Sequence, residues 1–179
     1  MHIYFDMDGV LVKYDRNAYL SKQSPFYQKG VHYFRDLEAD SLMLNLYLVL
    51  QRQNKHHLYI VTSITNDAKL CLEHCKDKIT WLQNHQIATK RNQHLLFAAS
   101  PKRNCVEDFQ HRHLTPQDVL IDDYNPNLEA WQEAGGTAIK YCNGLNNPDS
   151  YAGPHINHTD TIENTLQYLL ALERTLYEH

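Results

Sequence analysis

Met1-His2-Ile3-Tyr4-Phe5-Asp6-Met7-Asp8-Gly9-Val10-Leu11 is a short apolar run that passes straight into two aspartates, one residue apart, and a glycine. Two carboxylates gathered where an apolar strand stops repel each other and lose hydration. They call for a counter-charge, most simply a bound Mg²⁺. The same punctuation recurs down the chain. Apolar runs over 58–61, 95–98, 119–121 and 137–141 lead into Thr62-Ser63, into Ala99-Ser100-Pro101-Lys102, into Asp122-Asp123 and into Cys142-Asn143. Helical patterns lie between them, over 42–53, 65–82, 106–112 and 127–134, the last of these closed by Gly135-Gly136. A long amphipathic helix over 161–178 carries Ile162, Leu166, Leu169, Leu170 and Leu172 as its apolar stripe. Short strands alternating with helices predict an α/β fold with a mainly parallel sheet. Such sheets bind ligands beyond the carboxyl ends of their strands, where strand order reverses. Every polar cluster above falls at such an end.

Composition narrows the function. A chain of 179 residues makes one compact domain with room for a small appendage. No run approaches the roughly 18 apolar residues of a membrane span, and no basic stretch leads into a signal-type apolar segment. The expected location is therefore the cytoplasm, with no membrane partner. A net charge of -4 and the lack of a Lys/Arg block argue against long nucleic acid as a partner. Monomer and homodimer both stay open. Of Cys71, Cys75, Cys105 and Cys142 only the first two are close, flanking His74, and nothing nearby offers a fourth metal ligand, so reduced thiols are expected. Neither a G-x-x-x-x-G-K-[S/T] nor a G-x-G-x-x-G motif occurs.

Residues 14–37 break the strand–helix rhythm and are rich in aromatics. Inserted directly after the Asp–x–Asp loop, they are expected to form a small cap on a core made of 1–13 and 38–179. Phe26, Tyr27 and Tyr33 are the candidate cap contacts to a substrate, with Phe34 beside them.

Taken together, the strand-end residues solve one chemical problem: a phosphate monoester repels nucleophiles and has a poor leaving group. Asp6 would attack phosphorus to form an aspartyl-phosphate. Asp8 would protonate the leaving oxygen and later act as base on the hydrolytic water. Mg²⁺ held by Asp6, by the backbone carbonyl of Asp8 and by Asp122 would neutralise the transferring group, with Asp123 ligating through water or orienting the metal's surroundings. Lys102, Thr62 and Ser63 would bind phosphate, and Gly9 would shape a loop whose N–H groups face it.

Asp6-Met7-Asp8-Gly9-Val10, Val61-Thr62-Ser63, Lys102 and Ile121-Asp122-Asp123 resemble the four ordered motifs of the haloacid dehalogenase-like phosphohydrolase superfamily, over about residues 3–142. Within it the sequence is similar to the 5'(3')-deoxyribonucleotidases. That similarity rests on Asp6 to Leu11, Tyr33-Phe34-Arg35-Asp36-Leu37, Thr62-Ser63, the stretch Leu120 to Trp131 and Gly135-Gly136. The resemblance implies a Rossmann-like three-layer sandwich with a small helical cap after the first strand. It also implies Mg²⁺ dependence and release of phosphate from deoxyribonucleoside monophosphates. By the same resemblance Asp6 and Asp8 are nucleophile and acid/base, Thr62 and Lys102 bind phosphate, and Asp122 ligates Mg²⁺. The cap is shorter than such nucleotidases often carry. Other readings therefore stay open: a phosphatase or phosphotransferase acting on another small ester, or an inactive binding module.

Overall fold

The computed structural model describes residues 1–15, 32–87, 94–99, 101–146 and 151–178. Six strands form one sheet: β1 (His2–Phe5), β2 (His57–Ser63), β3 (Leu95–Ala98), β4 (Asp118–Asp122), β5 (Thr137–Cys142) and β6 (His155–Asn157). Their order is β3-β2-β1-β4-β5-β6, and every neighbouring pair is parallel. The strands alternate with α1 (Ser41–Gln53), α2 (Ala68–Asn84), α3 (Asn104–Gln110) and α4 (Asn125–Glu133), and α5 (Ile162–Tyr177) closes the chain. The Rossmann-like α/β architecture expected from the sequence is the one observed.

Parallel strands covered on both faces must be apolar on both faces, which explains the unbroken apolar runs. Ile3, Phe5, Ile60, Val119, Ile121, Ile139 and Tyr141 point to one side, where Leu46 and Leu50 of α1, Trp81 and Leu82 of α2 and Leu169 of α5 cover them. Tyr4, Val61, Leu96, Leu120 and Ala138 point to the other, against Val106 of α3 and Leu128 and Trp131 of α4. These are the three layers.

Helix starts follow local chemistry. Asp40 caps α1 by accepting from the Met43 N–H, and its other carboxylate oxygen accepts from the Tyr141 hydroxyl at 2.7 Å, which ties the helix to β5. Thr161 caps α5 through the Asn164 N–H. Pro126 opens α4, where its missing N–H costs nothing, and Gly135 at φ +97° follows the helix end.

The sixth strand and the start of α3 depart from expectation. The sixth strand was not expected, because a three-residue segment with one apolar residue, Ile156, carries no periodicity of its own. Helix α3 starts at Asn104 rather than 106, directly after Lys102. Most of the insert, residues 16–31 with Phe26 and Tyr27, lies outside the described residues, whereas Tyr33 and Phe34 lie within them. No described helix is long and apolar enough to cross a membrane.

Candidate active site

Strand order reverses between β1 and β4, and crossovers leave the sheet on either side of that line, which opens a crevice at the strands' carboxyl ends. Phe5 pairs with Ile121, so Asp6 and Asp122 arrive side by side at the same height. The Asp6 N–H donates to the Ile121 carbonyl at 2.9 Å and holds that register to the edge of the site.

After Asp6 the chain winds into a tight turn, with the N–H groups of Val10, Leu11 and Val12 all directed at the Met7 carbonyl. Gly9 stands there at φ +86°. A Cβ on it would lie 2.3 Å from Asp123 Oδ2, so glycine is needed both for the left-handed backbone and to let Asp123 approach. The Gly9 N–H donates to the Val12 carbonyl at 3.0 Å, so it is used within the loop rather than turned outward as the sequence suggested.

Lys102 joins the two halves. Its ammonium is 2.7 Å from Asp6 Oδ1 and 2.7 Å from Asp122 Oδ2, with all three side chains almost fully buried. Asp6 Oδ1 also accepts from the Met7 N–H at 2.6 Å, so both of these bonds fall on one oxygen of that carboxylate. Asp122 is fixed by the Tyr124 N–H at 2.8 Å and by the Asn127 amide at 3.0 Å. Asp123 is clamped from β5 and the loop beyond it: Asn143 and Asn146 donate to its Oδ2, and Lys140 donates to its backbone carbonyl at 2.6 Å. Asn143 also donates to the Gly9 carbonyl at 2.8 Å.

The acids outnumber this compensation. Asp6 is held well above the ordinary carboxylate range by burial, with the charges of Asp122, Asp8 and Asp123 adding to that and Lys102 opposing it. Burial and the Asp122 charge push Asp123 up to about 6. Asp6, Asp122 and Asp123 each offer a carboxylate oxygen, and these oxygens lie within 4.8 Å of one another. Three buried oxygen donors with surplus negative charge suit a hard divalent cation such as Mg²⁺. The carboxylate of Asp8 stands apart from this group and faces Lys78.

Lys78 is the residue sequence reasoning missed. It lies on α2, only 1 % of its side chain is exposed, and its ammonium donates to Asp8 Oδ2 at 2.5 Å, Thr62 Oγ at 2.6 Å and the Ser63 carbonyl at 3.0 Å. Ser63 is exposed, and it is its carbonyl that is drawn inward. A signal existed: Lys78 sits three and four residues before Trp81 and Leu82, on the face of α2 that packs on the sheet. Tyr33 and Phe34 flank the same corner. Phe34 lies 4.5 Å from the Lys78 ammonium, and the phenol of half-buried Tyr33 is pushed up by burial and then by the Asp8 charge.

Comparison with solved structures shows the same arrangement of elements. A D,D-heptose 1,7-bisphosphate phosphatase from B. bronchiseptica, complexed with magnesium and phosphate, aligns over 96 % of this chain and 99 % of its own, with a TM-score of 0.61 and 13 % identity. The corresponding phosphatase from Burkholderia thailandensis aligns over 93 % and 97 %, with a TM-score of 0.56 and 13 % identity. A HAD-superfamily hydrolase from Ehrlichia chaffeensis aligns over 96 % of both chains, with a TM-score of 0.55 and 10 % identity. This chain has the fold of the HAD-superfamily hydrolases. At these identities the likeness is one of fold. No protein-family model and no curated protein matches the sequence.

Proposed function

We propose that this protein is a Mg²⁺-dependent phosphomonoesterase working through an aspartyl-phosphate on Asp6. The observation that carries the proposal is the buried Asp6–Lys102–Asp122 bridge at the switch point, with Asp123 against it and Asp8 on the adjoining turn. The Met7 N–H and Lys102 hold Asp6 Oδ1 and leave Oδ2 to attack phosphorus as the ester P–O bond breaks. Asp8 gives its proton to the departing oxygen, then takes one from the water that cleaves the acyl phosphate and returns Asp6 free. Thr62 donates a hydroxyl hydrogen bond to the phosphoryl oxygens, and Lys102 faces the developing charge. Asp6, Asp122 and Asp123 would hold Mg²⁺, with the Asp8 carbonyl completing the set; when bound, the ion supplies positive charge to the phosphoryl oxygens.

A deoxyribonucleoside monophosphate is the substrate we favour. The support is the motif pattern over Asp6 to Leu11, Tyr33 to Leu37 and Leu120 to Trp131, together with Tyr33 at the Asp8 corner, where an aromatic ring could meet a base. A sugar phosphate is the second reading, favoured by the two heptose bisphosphate phosphatases with this fold.

The deciding experiment is phosphate release with Mg²⁺ from 5'- and 3'-deoxy- and ribonucleoside monophosphates, sugar phosphates and p-nitrophenyl phosphate, with Asp6→Asn as control. A deoxynucleotide preference supports the first reading, and a sugar phosphate preference the second. Activity that persists in Asp6→Asn overturns the assignment of the nucleophile.

A further inference from the structure

We propose that Lys78 is a positioning residue for this chemistry: it holds Asp8 and Thr62 in the orientations that general-acid catalysis and phosphate binding each require. The inference rests on the phosphomonoesterase reading above and goes beyond it, since neither the strand-end motifs nor the metal-binding acids include a residue of α2.

An ammonium group has three hydrogens to donate and no lone pair. All three are used here, on Asp8 Oδ2, Thr62 Oγ and the Ser63 carbonyl. Lys78 therefore has none left for a substrate, and its effect must pass through the groups it holds.

Two consequences follow from the donor direction. Thr62 is buried and its Oγ accepts from Lys78, while its own hydroxyl proton has no acceptor among the described residues, so Lys78 sets the direction in which that uncommitted proton points. Asp8 has Oδ2 committed, whereas its Oδ1 is buried with no hydrogen-bond partner among the described residues. The bond from Lys78 thus fixes the orientation of the whole carboxyl group.

The ammonium is itself confined. The Phe34 ring lies 4.5 Å from Nζ, and the His74 ring meets Phe34 in a T-shaped contact at 4.9 Å between centroids. Trp81 and Leu82, one turn on, anchor the same helix face in the core. Rotation of the lysine away from Asp8 would bury a charge against aromatic rings alone, which favours the three-point arrangement.

A residue that merely balanced the Asp8 charge would affect all substrates alike. A residue that aims the acid matters most where the leaving group needs a proton. The test compares kcat/KM for an alkyl phosphate such as propyl phosphate, whose alkoxide must be protonated, with that for p-nitrophenyl phosphate, whose phenolate leaves unaided. It uses the full chain with Mg²⁺ as wild type, K78M, K78R, D8N and the double variant K78M/D8N.

Positioning predicts that K78M and K78R lose about 100-fold on the alkyl ester but less than about 10-fold on the aryl ester, the smaller loss reflecting Thr62. It also predicts that K78M adds little once Asp8 is asparagine. Equal losses on the two esters, wild-type activity in K78R, or an undiminished K78M loss in the D8N background would each overturn the proposal. Should K78M not fold, K78R keeps the charge and carries the comparison alone. A wild type inactive on both esters would overturn the phosphatase reading and this proposal with it, whereas an active wild type with an unaffected K78R removes only the role of Lys78.

Discussion

Replacing Lys102 by methionine tests the electrostatic design of the site, because it keeps an unbranched apolar stem as far as Cε and removes the ammonium with its charge and its hydrogen bonds. In the native protein that charge lies 2.7 Å from one oxygen of Asp6 and 2.7 Å from one of Asp122, inside the sheet edge. Breaking a buried pair from one side costs about 3–5 kcal/mol, because an uncompensated charge stays behind. Two carboxylates lose their partner here, which places the cost in the upper half of that range, about 4–5 kcal/mol. For a domain of this size each kcal/mol moves Tm by roughly 2–4 °C, so the variant should melt roughly 8–20 °C below wild type near neutral pH without metal.

The sign of the pH dependence follows from the direction of the shift. Asp6 is already raised above its ordinary value of 3.8, with Lys102 the largest effect opposing the rise, so the substitution raises it further. A carboxyl whose pKa is raised by folding keeps a proton that the unfolded chain releases. Stability is then greatest below the unfolded value and is lost as pH rises through the folded one. The gap between K102M and wild type should accordingly narrow as pH falls towards the ordinary carboxylate range and widen as pH rises. Mg²⁺ should recover more of Tm in the variant than in wild type, because it replaces missing positive charge. Calorimetric melts across this range, with and without Mg²⁺, provide the assay. A gap that is constant with pH and indifferent to Mg²⁺ would mean that the loss is one of packing, and would refute the reasoning.

Metal-free wild type should itself lose stability as pH rises from about 4 to about 6, since Asp123 is raised from 3.8 to about 6; roughly two units correspond to about 3 kcal/mol. The Mg²⁺-induced rise in Tm should therefore be larger near neutral pH than near pH 5, and an equal rise at both would count against Asp123 as a ligand. Gly9→Ala puts a methyl group 2.3 Å from Asp123 Oδ2 at a backbone angle of +86°, so Mg²⁺ affinity measured by titration calorimetry should fall by about 10-fold or more; unchanged affinity would show that Asp123 can move away freely. Gly136→Ala places a Cβ 2.3 Å from Trp131 Nε1, which donates to the Asp118 carbonyl at 2.9 Å, and should cost about 2–4 kcal/mol in chemical denaturation while leaving low-temperature activity intact. A selective loss of activity without a loss of stability would be the contrary result.

What could be read along the chain and what could not divide by the range of the interactions. A buried parallel strand is marked within four or five residues by its apolar run, and Asp6, Thr62, Lys102 and Asp122 each sit at the end of such a run. Helix α1 and the long α5 are likewise local, set by periodicity and by the caps Asp40 and Thr161. The three-residue β6 has no such mark; it exists because β5 offers it an edge, with pairing running from Lys140 to Cys142. The clamp on Asp123 joins Asn143 and Asn146 to a residue 20 and 23 positions earlier, and two asparagines in a polar loop look like any turn.

The sequence by itself determined the order of strands and helices and placed four acids and a lysine at strand ends, because backbone propensity and apolar patterning act over a few residues. Only the tertiary structure decided which strands adjoin, and hence that Asp6 meets Asp122 across 116 residues of chain, because pairing register is set by packing between distant elements. It also decided that Lys78 turns inward while Lys76, two positions earlier on the same helix, does not join that site, because a helix rotates each side chain by about 100° and the face that meets the sheet is chosen by the core.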